Sequence, residues 1–218
     1  EVFGASFWVI QHLSILKCNV DQCQLCFEAA GNHAAKRPWH VRGKPVTISD
    51  SDQLPALADL AGSALALWDV SKDAGLRLIN LSENATYLVE AAGGYRSVLR
   101  LHRQGYHSRR AIECELAWMT ALDSDGGVAT PRAIAGRDGR LIQSYGTSAL
   151  PPRHLVMFEW LEGAEPDPDD DLVEPFRQLG GIAARAHRHV TGWQLPDDFE
   201  RLVWNDESVF GPSANWGD

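Results

Sequence analysis

From Gln53 to Trp68 the apolar residues Leu54, Leu57, Leu60, Ala61, Ala64, Leu65 and Trp68 recur at helical spacing, which predicts an amphipathic helix with Ser51 and Asp52 as caps. The pattern then changes period. Leu76 to Val89 reads as two strands around a polar turn at Ser82-Glu83-Asn84, and Gly93-Gly94 leads into a third strand, Ser97 to His102. Ser108 caps a second predicted helix that runs to Leu122 and stops at Asp123-Ser124-Asp125-Gly126-Gly127. Two further strands are expected at Leu141 to Ser144 and Leu155 to Leu161, joined by a loop with Gly146 and Pro151-Pro152. Beyond them Leu172, Val173, Phe176, Leu179, Ala183, Ala186, His187 and Val190 predict the apolar face of a third helix, with Asp169 to Asp171 suited to its N-terminus. From Thr191 onward the chain reads as irregular. The pattern is that of an α+β fold: an antiparallel sheet of about five strands with one inserted helix, then the first helix of a mainly helical region.

One position disagrees with its surroundings. At about 100° per residue, Ile112, Leu116, Met119 and Leu122 share one arc of the second helix, and Glu115 falls inside that arc. A carboxylate turned toward a core calls for a cationic partner, since burial without one costs on the order of several kcal/mol. In Ser97-Val98-Leu99-Arg100-Leu101, alternation puts Arg100 on the face opposite Leu99 and Leu101. Arg100 and Glu115 are therefore the expected pair. Two alternatives stand beside it: a salt bridge that serves no ligand, or two separate surface charges.

Composition limits what such a pair could serve. The 218 residues carry 44% hydrophobic and 22% charged side chains, an ordinary globular balance. A net charge of −9 argues against a general nucleic-acid partner, because phosphate backbones demand a surplus of Lys and Arg. The local exception, Arg96 to Arg110, also reads as a solvated strand edge and helix start. The apolar run from Val2 to Leu16 is broken by Gln11 and His12, is too short for a membrane span and lacks a basic region before it. Four cysteines do not make a disulfide scaffold in a chain of this length, so a cytoplasmic location is expected, with Cys114 a small buried thiol. Residues 1–50 differ in composition and are set apart as an atypical extension. Their Cys18, Cys23 and Cys26, with His12, His33 and His40 nearby, lack the partners of a zinc or iron–sulfur site.

Five runs occur in order: LINLSENATYLV from Leu78, SVLRLHRQGYHS from Ser97, IECELAWMTAL from Ile112, HLVMFEWLEG from His154 and LGGIAARAH from Leu179. Together they resemble the aminoglycoside phosphotransferase and homoserine kinase-like superfamily, over roughly residues 53–218. The resemblance implies a protein-kinase-like fold, with a nucleotide-binding lobe at 51–162 and the hinge and an incomplete substrate lobe at 163–218. It implies ATP as phosphoryl donor, Mg2+, and a small polar acceptor bearing a hydroxyl, with an amino alcohol as suitable as an aminoglycoside. Ser82, Glu83, Asn84 and Ala85 would form the turn over the phosphates, although S-E-N-A is also an ordinary hairpin connection. Arg100 would take the place of the phosphate-binding lysine of many relatives, and Glu115 that of its helix partner. Arg keeps the charge but is bulkier and forked, so the exchange is a departure from the family pattern. Phe158 would back the adenine while the backbones of Glu159 and Leu161 bond to it; core packing is the alternative for Phe158, Met157 and Trp160. His187 reads as a core histidine.

The family's H-G-D-x-x-x-x-N loop, with its catalytic Asp, and its later magnesium-binding Asp do not occur in the 218 residues. The expectation is a chain cut before that loop, binding nucleotide weakly and transferring nothing, with apolar surface left open at the lobe interface. No residue is therefore assigned as catalytic. The competing expectation is a nucleotide-binding or regulatory module without turnover.

Overall fold

The computed structural model describes residues 53–82, 84–163, 169, 171–201, 206, 210 and 211. Helix α1, Leu54–Ala64, ends in a 3-10 turn at Leu65–Leu67. Gln53 is its N-cap and makes no side-chain capping bond; the expected caps Ser51 and Asp52 lie outside the described residues. Strands β1 (Gly75–Leu81), β2 (Asn84–Ala91) and β3 (Tyr95–His102) form the antiparallel meander. Helix α2, Arg109–Ser124, begins at Ser108, whose Oγ accepts from the Ala111 N–H at 3.0 Å. There follow β4 (Ala133–Ile134), β5 (Ile142–Tyr145), β6 (Arg153–Glu159) and helix α3 (Val173–Gly192).

Among the described residues the sheet has six strands in the order β1-β2-β3-β6-β4, with β5 also on β6. The expected five becomes six because β4, only two residues long, is too short to show a period of its own. β4 pairs with Phe158 and Met157, and β5 with Val156 through Arg153, so the two share one edge of β6 end to end. β6 also stops at Glu159, short of the expected Leu161. In β1 the register shifts between Leu78 and Asn80, and Ile79 joins the core on the α2 side of the sheet.

Pleating separates two cores on the two faces of the sheet. On one face Tyr87, Val89, Leu99, Leu101, Leu155 and Met157 meet Leu57, Leu60, Ala61, Ala64 and Trp68 of the α1 region. The Trp68 indole N–H donates to the Ile134 carbonyl at 3.0 Å, tying α1 to β4. On the other face Val98, Val156, Phe158 and Ile142 meet Ile112, Leu116, Met119 and Leu122 of α2.

Helix α3 departs from its expected burial. Only Ala186 is buried along it, while Val173 and Phe176 are 75% and 62% exposed. The contacts of α3 with the α2 region come from its C-terminal half, where Ile182 and Ala186 join the α2-side core and Arg185 and His189 bond to Gly127 and Asp125. Asp171 Oδ1 does accept from the Val173 N–H at 3.1 Å, as suits a helix start. Beyond α3, Asp206 and Phe210 are helical where irregular chain was expected. No helix among the described residues is long and apolar enough to cross a membrane. Cys18, Cys23 and Cys26, and with them residues 1–50, lie outside the described residues.

Candidate functional site

Strand β3 and helix α2 are consecutive, and the α2 core pulls the helix onto the β3 face that carries Arg100. The Arg100 Nη1 donates to Glu115 Oε1 at 2.9 Å, with the two side chains 6% and 21% exposed. Arg100 also covers the Phe158 ring, its guanidinium carbon 4.9 Å from the ring centroid. Burial alone would raise the Glu115 carboxyl; the Arg100 charge and hydrogen bond, helped by the Arg201 charge, outweigh it and hold the group below the usual range. The helix thus presents a carboxylate, ionised at neutral pH, to an arginine almost removed from solvent.

Two residues farther along the same β3 face lies His102, 2% exposed and with neither ring nitrogen hydrogen-bonded. Burial first, and then the Arg100 charge, push its pKa down to about 3, so the ring is neutral at pH 7. Across the sheet His102 is opposite Asn84, whose side-chain oxygen is also buried without a hydrogen bond. His102 was not singled out in the sequence. Strand alternation with Arg100 could have placed it on this face; its surroundings, with the His107 ring 6.4 Å away and Glu115 and His154 near enough to act on its charge, could not be read there.

The phosphate-turn candidates are adjacent but unequal. The Ser82 N–H is already used, donating to the Asn84 carbonyl at 3.1 Å, and the Ser82 hydroxyl accepts from Asn80 Nδ2 at 3.2 Å. Asn84 opens β2 opposite His102, and Ala85 is buried between Leu81 and Leu101. Glu83 lies outside the described residues. At the other end of the face Phe158 is buried opposite Val98. The Glu159 N–H donates to the Arg132 carbonyl at 2.9 Å, and Leu161 follows the strand in irregular chain. Arg100, Glu115 and Phe158 are therefore in mutual contact or one contact apart. Asn84, paired with His102, shares their sheet face, whereas Glu159, paired with Ser97, ends β6 on the opposite face.

A buried guanidinium held by a helix carboxylate is an arrangement chemically suited to an anion. Residues 75–211 match the profile of the Phosphotransferase enzyme family, APH, over more than half of the chain. The chain belongs to this family. A comparison with curated proteins finds no match. Among solved structures, the chain is 44% identical to a microcompartment-associated aminopropanol kinase, with a TM-score of 0.65 over 73% of this chain and 49% of the other. It is 19% identical to an amicoumacin kinase in complex with AMP-PNP and Ca2+, with a TM-score of 0.56 over 70% of this chain and 44% of the other, a likeness of fold alone. The chain thus spans about half the length of these solved structures. The kinase-like α+β fold and the superfamily expected from the five sequence runs are those found.

Proposed function

We propose that this phosphotransferase-family chain forms the nucleotide-holding part of an ATP-dependent kinase that phosphorylates the hydroxyl of a small amino alcohol. The observation that carries the reading is the Arg100–Glu115 pair, buried between β3 and α2 at 2.9 Å. A guanidinium fixed by a carboxylate can bind phosphate oxygens without reorganising when they arrive. In this reading Arg100 engages the ATP phosphates, the Ser82–Ala85 turn closes over them, and Phe158 backs the adenine pocket from inside the core. Because the Glu159 N–H is taken by Arg132, Glu159 would offer the adenine its carbonyl, and the free backbone would come from Leu161.

In the transfer itself the acceptor oxygen bonds to the γ-phosphorus as the bond to the β–γ bridging oxygen breaks. ADP leaves, and the hydroxyl proton passes to a carboxylate base. By the family pattern that base and the magnesium ligands belong to the H-G-D-x-x-x-x-N loop and a later Asp, which these 218 residues do not include. Mg2+ would offset the charge of the triphosphate; among the described residues no group of three His, Cys, Asp or Glu side chains could hold it. The acceptor class rests on the 44% identity to an aminopropanol kinase.

Calorimetric titration with ATP and with adenosine tests the nucleotide reading. ATP should bind, and Arg100→Met should weaken ATP by roughly ten- to a hundredfold while leaving adenosine unchanged, as expected for loss of one charged phosphate contact. No heat at millimolar ATP would overturn it. For the acceptor, phosphoryl transfer by the full-length gene product should favour aminopropanol over homoserine, choline and an aminoglycoside; preference for an aminoglycoside would overturn the amino alcohol assignment.

A further inference from the structure

Helix α2, which carries Glu115, is tied at both ends to the residues that follow the strands. At its C-terminal end the Arg185 Nε donates to the Gly127 carbonyl at 3.1 Å, and His189 Nε2 meets Asp125 Oδ1 at 3.0 Å. The helices approach so closely there that a Cβ on Gly126 would stand 3.0 Å from both His189 and Leu122. At the N-terminal end the chain after α3 crosses back. Arg110 donates through Nε to the Asp198 carbonyl at 3.1 Å and through Nη2 to the Asp197 carbonyl. The Ser108 hydroxyl meets Glu200 Oε1 at 2.6 Å, and the Glu200 N–H reaches Cys114 Sγ at 3.4 Å.

The crossing is a shaped segment. Trp193 packs between the His189 and Phe199 rings, each 6.1 Å away centroid to centroid. Asp198 has φ of 52°, the one non-glycine residue in the left-handed region among the described residues. That conformation costs on the order of 1 kcal/mol or more and persists where surrounding contacts impose it. Here it accompanies two successive carbonyls meeting one guanidinium. Arg201 then stacks over Trp118, 5.1 Å from the ring centroid and one helical turn from Glu115. Arg201 is itself largely desolvated, and its charge helps to hold Glu115 ionised.

We propose that residues 185–201 act as a clamp on helix α2 that sets where Glu115 holds Arg100, making Arg110 and Arg201 positioning residues for nucleotide phosphate binding. The clamp rests on the nucleotide reading above and extends it: the substrate-side chain, through α3 and its following segment, acts on the phosphate anchor without touching it. Because both ends of α2 are held from one contiguous stretch, a shift of that stretch moves the helix as a body. The glutamate moves with it, and the arginine follows its partner.

The test is calorimetric titration of the 218-residue chain with ATP and with adenosine, using Arg110→Met and Arg201→Met, which keep the aliphatic stems. Each should lower ATP affinity by roughly two- to thirtyfold, the usual span for coupling through packed elements, and leave adenosine affinity unchanged. In a Glu115→Gln background the same substitutions should have no further effect on ATP. Equal losses for ATP and adenosine, or full effects persisting without the Glu115 carboxylate, would mean a merely structural role and overturn the clamp. Wild-type protein binding ATP with both variants indistinguishable from it would overturn the clamp while leaving the nucleotide reading intact. Absence of ATP binding by wild type would overturn both. Should Arg110→Met fold poorly, Arg110→Lys, which retains charge but loses the fork that spans two carbonyls, should reproduce its ATP-selective loss.

Discussion

A carboxylate facing a core is tolerable only as long as its cation stays. Replacing Arg100 by Met leaves Glu115 without its hydrogen-bonded cation, and the loss should be about 2–3 kcal/mol, below the roughly 3–5 kcal/mol typical of fully buried pairs. The reduction follows from the fifth of the Glu115 side chain that remains exposed, 21%. Urea unfolding of Arg100→Met against Arg100→Met/Glu115→Leu checks it: the double substitution should recover much of the stability. His102 supplies a second residue-scale prediction, on pH. Its folded pKa is depressed from 6.5 to about 3, so the fold favours the neutral ring. That contribution is complete above 6.5 and is lost as pH falls from 6.5 toward about 3, at about 1.4 kcal/mol per pH unit. Glu115, also depressed, adds the same sign at lower pH, its stabilisation lost as pH falls through its folded pKa. Urea midpoints measured from pH 7 down to 5 should decline in the wild type and much less in His102→Phe. At this scale Arg100 and Glu115 were legible because each sits at a position its neighbours make anomalous. His102 was not, since a histidine near a strand end carries no sign of burial until the tertiary fold covers it.

Helix α2 carries Glu115 of the proposed nucleotide site, and its two ends can be probed separately. Ser108→Ala removes the cap that accepts from Ala111 and should cost about 1 kcal/mol, with the contact to Glu200 lost as well. Gly126→Ala places a methyl 3.0 Å from Leu122 and His189, and should cost about 1–3 kcal/mol by forcing α2 and α3 apart. Thermal unfolding checks both; a neutral Gly126→Ala would show that the helices yield at little cost. The major elements were readable from their periods, and Ser108 from its place ahead of an apolar arc. Strand β4 was not, because two residues have no period. The exposure of Val173 and Phe176 was hidden as well, since an amphipathic face says what could be buried and not whether anything arrives to bury it.

For the whole molecule, one sheet carries two cores, α1 with one face and α2 with the other. Anything that steadies the sheet steadies both. ATP at about a hundred times its dissociation constant should therefore stabilise the chain by about 2.7 kcal/mol, a rise in Tm of roughly 5–10 °C at this size. Adenosine at the same absolute concentration should give a smaller rise, and no rise with ATP would count against a nucleotide site. What the sequence determined by itself was local and periodic: the meander, the α2 cap, the opposed faces of β3, and the family, whose runs survive in order along the chain. What only the tertiary structure decided was the company each residue keeps. The neutral buried His102, the edge of β6 shared by β4 and β5, and the grip of residues 185–201 on α2 all join positions far apart in the chain. Periodicity reports which way a side chain points; its partner, burial and charge state depend on which distant segment packs there.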